Sequence, residues 1–322
     1  VSSIDILLNT LASPMILAFI VAVFVTALGS DLHLPKALST SLSIYLLLAI
    51  GFKGGTALSQ ESMGGIVWPL LATVALGVIT PLTAYVIAKR VMTISRVDAS
   101  ALAAHYGSVS AVTFAASLTV MAESGIFVEG YTPALLALLE IPGIIVALTL
   151  AADQVGGTRV GWAGALREAI LGRSIVLLAG GLLIGWIAGP QRMELVDPLF
   201  KDLFYGALTL FLLDLGVSVV RHASGLRVYG RRLLVVGTVV PLVNGTLGVT
   251  LATFAGLSVG GATVVGVMAA SASYIAAPAA VRIALPDANP TLYLTAALAI
   301  TFPFNLIVGI PLFFWMAGAF AG

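Results

Sequence analysis

The sequence predicts an all-α polytopic membrane protein, with ten transmembrane helices in a 5+5 inverted repeat and breaks in helices 4 and 9. Three observations lead there. The chain of 322 residues is 60% hydrophobic and 9% charged, with mean hydropathy +1.11. Soluble domains carry roughly 25% charged residues, so the bilayer is the natural solvent here. Ten segments each supply the about 20 apolar residues that a spanning helix needs. Finally, the two halves echo each other at an offset near 161 residues.

The segments follow in order. The first, 12–31, is closed by Lys36, and the second, 35–58, carries Lys53. The third, 64–90, ends on Lys89 and Arg90, with Arg96 beyond. The fourth, 97–124, is rich in Gly, Ala and Ser and poorer in Leu and Ile. The fifth, 131–152, holds Glu140 and is followed by Arg159, Arg167 and Arg173. The sixth and seventh, 170–189 and 197–221, are separated by Arg192 and Lys201. Arg221, Arg227, Arg231 and Arg232 lie between the seventh and the eighth, 230–256. The ninth, 260–284, is again rich in small residues and ends near Arg282, and the tenth is 289–318. Loops after the odd-numbered helices thus hold 12 basic residues and the other side 3. That asymmetry places the basic loops inside and both termini outside. The opening residues lack a basic n-region and are not read as a cleavable signal.

The stretch holding "EIPGIIVAL" (140–148) falls over that holding "FPFNLIVGI" (302–310), with Pro142 over Pro303. Gly55 falls over Gly216, and Ser110 over Ser271. Residues 1–152 form the first five-helix repeat and 170–322 the second, joined by an inner-side linker, 153–169, with a short interfacial helix in "RVGWAGALREAIL". Five is odd, so the second repeat crosses the membrane in the opposite sense, an arrangement common in secondary transporters.

The fourth and ninth segments carry the chemistry. "YGSVSAVTFAAS" (106–117) aligns with "VMAASASYIAAP" (267–278). Small residues let backbone approach backbone or ligand closely. A helix that begins inside the membrane has free N–H groups and about half a positive charge at its start. Two such starts, at Ser108–Ser110 and Ser271–Ser273, would face each other across a compact anion site. Ser110, Thr113 and Ser117 share one helical face, and Ser271, Tyr274 and Pro278 repeat that spacing. Hydroxyls and unwound carbonyls also suit a small hard cation such as Na⁺. Small-residue faces equally serve as plain packing surfaces, and the two readings are compatible.

Charges within the spans each need a reason. Glu140 is a candidate ligand for a coupling cation or a carrier of a proton; the alternative is a carboxyl fixing a helix contact. Lys53 and Asp214 are counterparts at the repeat offset and are expected to form a structural ion pair. Asp98 is a helix cap and Glu123 a solvated outer residue. His105 is read as a hydrogen-bonded packing residue.

Net charge +1 gives no field for nucleic acid, and the absence of cysteine excludes disulfides, thiolate sites and thiol nucleophiles. No nucleophile-elbow or phosphate-loop motif occurs, so no enzyme and no cofactor is expected. An intramembrane enzyme would need His105 within reach of Ser110 or Ser271. No second ligand beside His105 suggests a transition-metal site.

"YGSVSAVTFAASLTVMAES" (106–124), "EIPGIIVAL" (140–148) and "AASASYIAAPAAVRIALPDANPTLY" (269–293) resemble the sodium-dependent bicarbonate transporter family known from cyanobacteria. The resemblance runs along nearly all ten spans. It implies a core domain moving against a gate domain, usually in a homotrimer, in the bacterial inner membrane, with substrate between the two broken helices and Na⁺ alongside. Carried over, the anion site is Ser108, Val109, Ser110, Ser271, Ala272 and Ser273, and the cation site uses Ser110, Thr113 and Ser271, with Glu140 as a further candidate.

Two departures stand out. Tyr274 occupies the place of the family's Na⁺-holding aspartate, and Ala111 and Val112 replace its Gly-Ser. The Tyr274 phenol could donate to an anion or plug the site. The short loop 153–169 weakens the expectation of a nitrogen-regulatory-type (PII-like) partner. The reading is an importer of a small anion, bicarbonate by resemblance, coupled to Na⁺ and working by an elevator-like motion. The alternatives are H⁺-coupled or uncoupled transport of another small monoanion or carboxylate, and a transport-dead sensor.

Overall fold

The computed structural model describes residues 3–61, 63–151, 164, 166–168 and 170–321, and the described residues contain helices and no strand. Of the linker expected at 153–169 only residues 164 and 166–168 are described; of the segment 159–171 read as an interfacial helix, residues 164, 166–168, 170 and 171 are described and helical, and the rest lies outside the described residues.

The chain opens with α1 (Ser3–Ala12) and α2 (Pro14–Ala27), bent by 62° where Pro14 cannot donate to the ladder. The sequence reading begins its first span at residue 12 and misses α1. Then come α3 (Lys36–Leu58), α4 (Met63–Val91), α5 (Arg96–Gly107), α6 (Ala111–Glu123) and α7 (Thr132–Thr149). The second half has α8 (Arg173–Met193), α9 (Phe204–His222), α10 (Gly225–Phe254), α11 (Val259–Ala270), α12 (Ala277–Ala284) and α13 (Pro290–Ala321). Among the described residues, 8 helices are long and apolar enough to cross a membrane, or up to 9 when the bent α1–α2 pair is one span. The protein is a multi-pass membrane protein.

Two packing groups emerge. In one, α3 lies along α8 and α9 along α2. Glycines permit both approaches: a Cβ on Gly55 would overlap the Leu182 carbonyl, and one on Gly216 would strike the Phe19 carbonyl. Gly51 meets Leu178 and Gly181 while Gly55 meets Leu182 and Trp186, so α3 and α8 run parallel. The other group gathers α4, α5, α6 and α7 with α10, α11, α12 and α13.

The broken segments lie deepest. The apolar window of Arg96–Glu123 is 89% buried, against 28% to 67% in the other spans. Shielded from lipid, α5 and α6 can be small and hydroxylated without exposing polar groups to hydrocarbon. In α11, every residue from Gly260 to Ala270 is buried.

Each half also ties down the other. Glu129 accepts from the Ser258 amide at 2.6 Å and the Ser258 hydroxyl at 3.1 Å, just where α11 begins. Asp98, at the start of α5, accepts from the Asn289 amide at 2.9 Å and from its own N-cap Ser95. The cap of α5 is thus Ser95 rather than Asp98, and Asp98, in the first turn, ties α5 to the second half. Glu123 is exposed, as read from sequence, and accepts from Ser13. Glu129→Ala should destabilise the protein by about 1.5–3 kcal/mol, the range for hydrogen bonds to a charged group. Thermal unfolding in detergent checks this, and a midpoint unchanged from wild type would show the tie to be dispensable.

Candidate functional site

The site grows from two interruptions. α5 stops at Gly107, Ser108 and Ser110 are extended, and α6 restarts at Ala111. Ser110 is the N-cap of α6: its Oγ accepts from the Thr113 amide at 3.2 Å and the Thr113 hydroxyl at 2.9 Å. Used only as an acceptor in these bonds, that hydroxyl keeps its own proton to donate.

The second interruption differs. α11 ends at Ala270, Ser271 is its extended C-cap, and α12 begins only at Ala277. Ser271 therefore does not start a helix, as its alignment with Ser110 suggests. Ser273 closes the start of α12 instead, its Oγ accepting from the amides of Ala276 at 3.3 Å and Ala277 at 3.2 Å. The longer break lets the chain turn before the helix resumes, which the repeat offset alone does not reveal.

The two breaks touch. The Ser110 amide donates to Ser271 Oγ at 2.9 Å, and that hydroxyl donates onward to the Met268 carbonyl at 2.7 Å. The Ser273 amide donates to the carbonyls of His105 at 2.7 Å and Ser108 at 3.0 Å. Asn305 Nδ2 donates to the Ala270 carbonyl at 3.0 Å and satisfies the end of α11. Two helix starts and two helix ends thus meet in one buried region, supplying both signs of partial charge. The expected pair of bare N-termini is corrected to this mixed crossing, with the start of α12 already occupied by Ser273.

A cavity of about 10 Å³ adjoins the crossing, lined by Val109, Ser110, Glu140, Ser273 and Tyr274 among others. That is room for roughly one water-sized particle. Glu140 is buried, 5% exposed, and makes no ion pair among the described residues. The Tyr274 hydroxyl is buried beside the Ser110 side chain without a hydrogen bond of full geometry, and its ring packs edge-on against Phe302 at 5.7 Å.

Of the residues singled out in the sequence, Val109, Ser110, Ser273, Tyr274 and Glu140 share this cavity. Thr113 and Ser271 lie directly behind it, bonded to Ser110. Ser108 and Ala272 are buried but do not line it, and Ser108 Oγ has no hydrogen-bond partner. Leu47 of α3 and Ser174 of α8 complete the wall. Neither is legible in the sequence, because no spacing pattern ties them to the breaks and only the packing of α3 and α8 brings them there.

One sequence expectation fails in the structure. Lys53 and Asp214 do not pair; the ion pair among the described residues is Lys201–Asp197 at 3.4 Å. Other residues at the same separation of 161 do meet, Ser110 with Ser271 and Thr83 with Asn244, each by a hydrogen bond. Lys53 lies about 9 Å along α3 from that helix's middle, at 1.5 Å per residue. His105 does not form the dyad that the enzyme alternative requires. Its Nδ1 bonds the Ala101 carbonyl at 2.7 Å, its ring stacks on Tyr293 at 4.3 Å, and Nε2 touches no polar partner.

No curated protein matches the chain. Residues 14–318, nearly the whole sequence, match the family model of the Na⁺-dependent bicarbonate transporter superfamily. The chain belongs to the Na⁺-dependent bicarbonate transporter superfamily.

Proposed function

We propose that the protein is a secondary active transporter that imports a small anion, bicarbonate foremost, together with Na⁺, by an elevator-like motion. One observation carries this reading. Four of the five polar residues lining the cavity, Ser110, Glu140, Ser273 and Tyr274, belong to the group of α4–α7 and α10–α13, while the fifth, Ser174, closes it with Leu47 from α8 and α3. A binding site carried by one body and sealed by another is what alternating access by sliding requires. In this reading α2, α3, α8 and α9 are the gate and the remaining spans the core.

The inverted repeat is supported by the glycine contacts. Gly55 and Gly216, 161 residues apart, serve equivalent helix pairs, α3 on α8 and α9 on α2. Successive spans must alternate in direction, so α2 opposes α3. Since α8 runs parallel to α3, it opposes its own counterpart α2. The basic loops then face the cytoplasm of a bacterial inner membrane and the termini face outward. A homotrimer follows from family resemblance. Non-enzymatic action accords with the superfamily.

At the crossing, the α6 start and the Ser110 hydroxyl would hold the anion, while Ser110, Thr113, Ser271 and Glu140 supply oxygens for the cation. A second reading, coupling to H⁺, is favoured by one feature: Tyr274 replaces the family's acid, and Glu140 is the carboxyl in the cavity. Uptake of labelled bicarbonate into proteoliposomes under imposed Na⁺ or pH gradients tests both. Uptake driven by Na⁺ supports symport; uptake driven by pH alone moves the coupling to Glu140; binding without flux identifies a sensor. Glu140→Gln should weaken the dependence on the coupling cation at least several-fold. An unchanged Na⁺ and pH profile would return Glu140 to a packing role.

A further inference from the structure

A larger cavity of about 770 Å³ opens at the end of the molecule where α3, α6 and α8 finish. It is walled by the face of α3 that carries Ile50, Lys53 and Thr56, with Gln60 just beyond that helix, and by Leu118 and Thr119 of α6. Its rim, residues 193–205, bears Glu194, Asp197, Lys201 and Asp202. Glu194, Lys201 and Asp202 are exposed, and Asp197 is bonded to Lys201. Lys53 is different: it sits five residues inside the end of α3, its exposed side chain lines the vestibule itself, and it makes no ion pair among the described residues.

The void continues inward in steps. Ile50 also lines a second small cavity with Leu46, Ala111 and Ile275. Leu47, Ala111 and Ile275 are then shared between that cavity and the one holding Ser110, Glu140 and Tyr274. Leu47, Ile50 and Lys53, spaced by three, form one stripe of α3 leading from the open vestibule to the crossing. Apolar side chains constrict the stripe at Leu47 and Ile50, and a charge guards its outer end.

We propose that Lys53 is the anion-capture residue of this transporter, concentrating a small monoanion in the vestibule before it passes along α3 to the Ser110 site. The inference rests on the transport reading given above. Five charged side chains line the vestibule, Lys53 and Lys201 against Glu194, Asp197 and Asp202. Lys201 and Asp197 offset each other as a pair, which leaves Glu194 and Asp202 opposing Lys53. Of these five, Lys53 is the one on the α3 stripe that leads inward, so it is the charge an anion meets at the entrance to the constriction.

The chain contains 0 cysteines, so an introduced thiol is unique. In Thr56→Cys, the vestibule thiol should react with a negatively charged methanethiosulfonate about 10-fold faster, relative to a positively charged one, than a free thiol does. Adding Lys53→Gln should erase that preference, and adding Lys53→Arg should keep it. In proteoliposomes, Lys53→Gln should raise the KM for bicarbonate about 10-fold with Vmax within about two-fold, and Lys53→Arg should restore the KM. A reagent preference that survives Lys53→Gln overturns the proposal. So does an unchanged KM, or an Arg variant as impaired as the Gln variant, which would mark Lys53 as structural. If wild type carries no flux, the transport reading falls, while the thiol reactivities still report whether Lys53 attracts anions.

Discussion

Ser110→Val is expected to abolish bicarbonate uptake while leaving a folded protein. The cap on the Thr113 amide is lost, a change worth about 1 kcal/mol. Thr113 Oγ1 also loses its acceptor, and a buried orphan donor adds roughly 1–3 kcal/mol. The Ser110 amide keeps its bond to Ser271 Oγ, so the two breaks stay joined. Stability falls modestly; uptake falls at least 100-fold, because the N-cap hydroxyl of α6 is what this break presents to the cavity, beside the Tyr274 phenol. Ser271→Val acts from the other side: it strands the Ser110 amide and should be equally inactive. Ser110→Ala separates function from packing, since it creates no clash. Ser117→Ala is the control, as Ser117 lies on the same face but bonds only its own helix, to the Phe114 carbonyl at 2.8 Å. Normal uptake by both valine variants would return the stretch 106–117 to a mere packing surface.

The contrast between Ser110 and Lys53 shows what a sequence of this kind reveals. Hydropathy and small-residue content locate both broken segments because burial and lipid exposure act directly on composition. The repeat offset finds Ser110 and Ser271, which touch. The same offset fails for Lys53 and Asp214, since an offset along the chain carries no information about distance in space. It fails again at Ser271–Ala276, where the second break is longer than the first and Ser273, not Ser271, closes the following helix. Glu140 is legible as a buried charge, but its sharing of a cavity with Ser110 is not. That depends on the approach of α7 to α5, and Leu47 and Ser174 depend likewise on where α3 and α8 pack.

The approach of α7 to α5 is the other point of greatest sensitivity. Gly107, the last residue of α5, lies against Gly143, with Pro81 of α4 on its remaining side. A Cβ on Gly143 would overlap the Gly107 carbonyl, and one on Gly107 would lie 2.9 Å from Gly143 Cα and 2.9 Å from Pro81 Cβ. Three helices thus converge one residue before the chain breaks and one turn from Glu140. Overpacking ordinarily costs about 1–3 kcal/mol, partly relieved when side chains rotate. Here the obstacle is backbone on both helices, so relief requires moving α5 or α7 bodily. Gly143→Val should therefore cost at least the top of that range and displace the end of α5, whose His105 and Ser108 carbonyls hold the Ser273 amide. The expected result is little folded protein after extraction, and no uptake from what survives. Gly143→Ala should fold and yet transport poorly, because even one methyl group moves the crossing. A Cβ on Gly206 in α9 would meet nothing within 4 Å, so Gly206→Ala should match wild type in thermal unfolding and uptake. A Gly143→Val protein as stable and as active as Gly206→Ala would mean that the contact between α5 and α7 does not set the geometry of the break, and the site would need another source of rigidity.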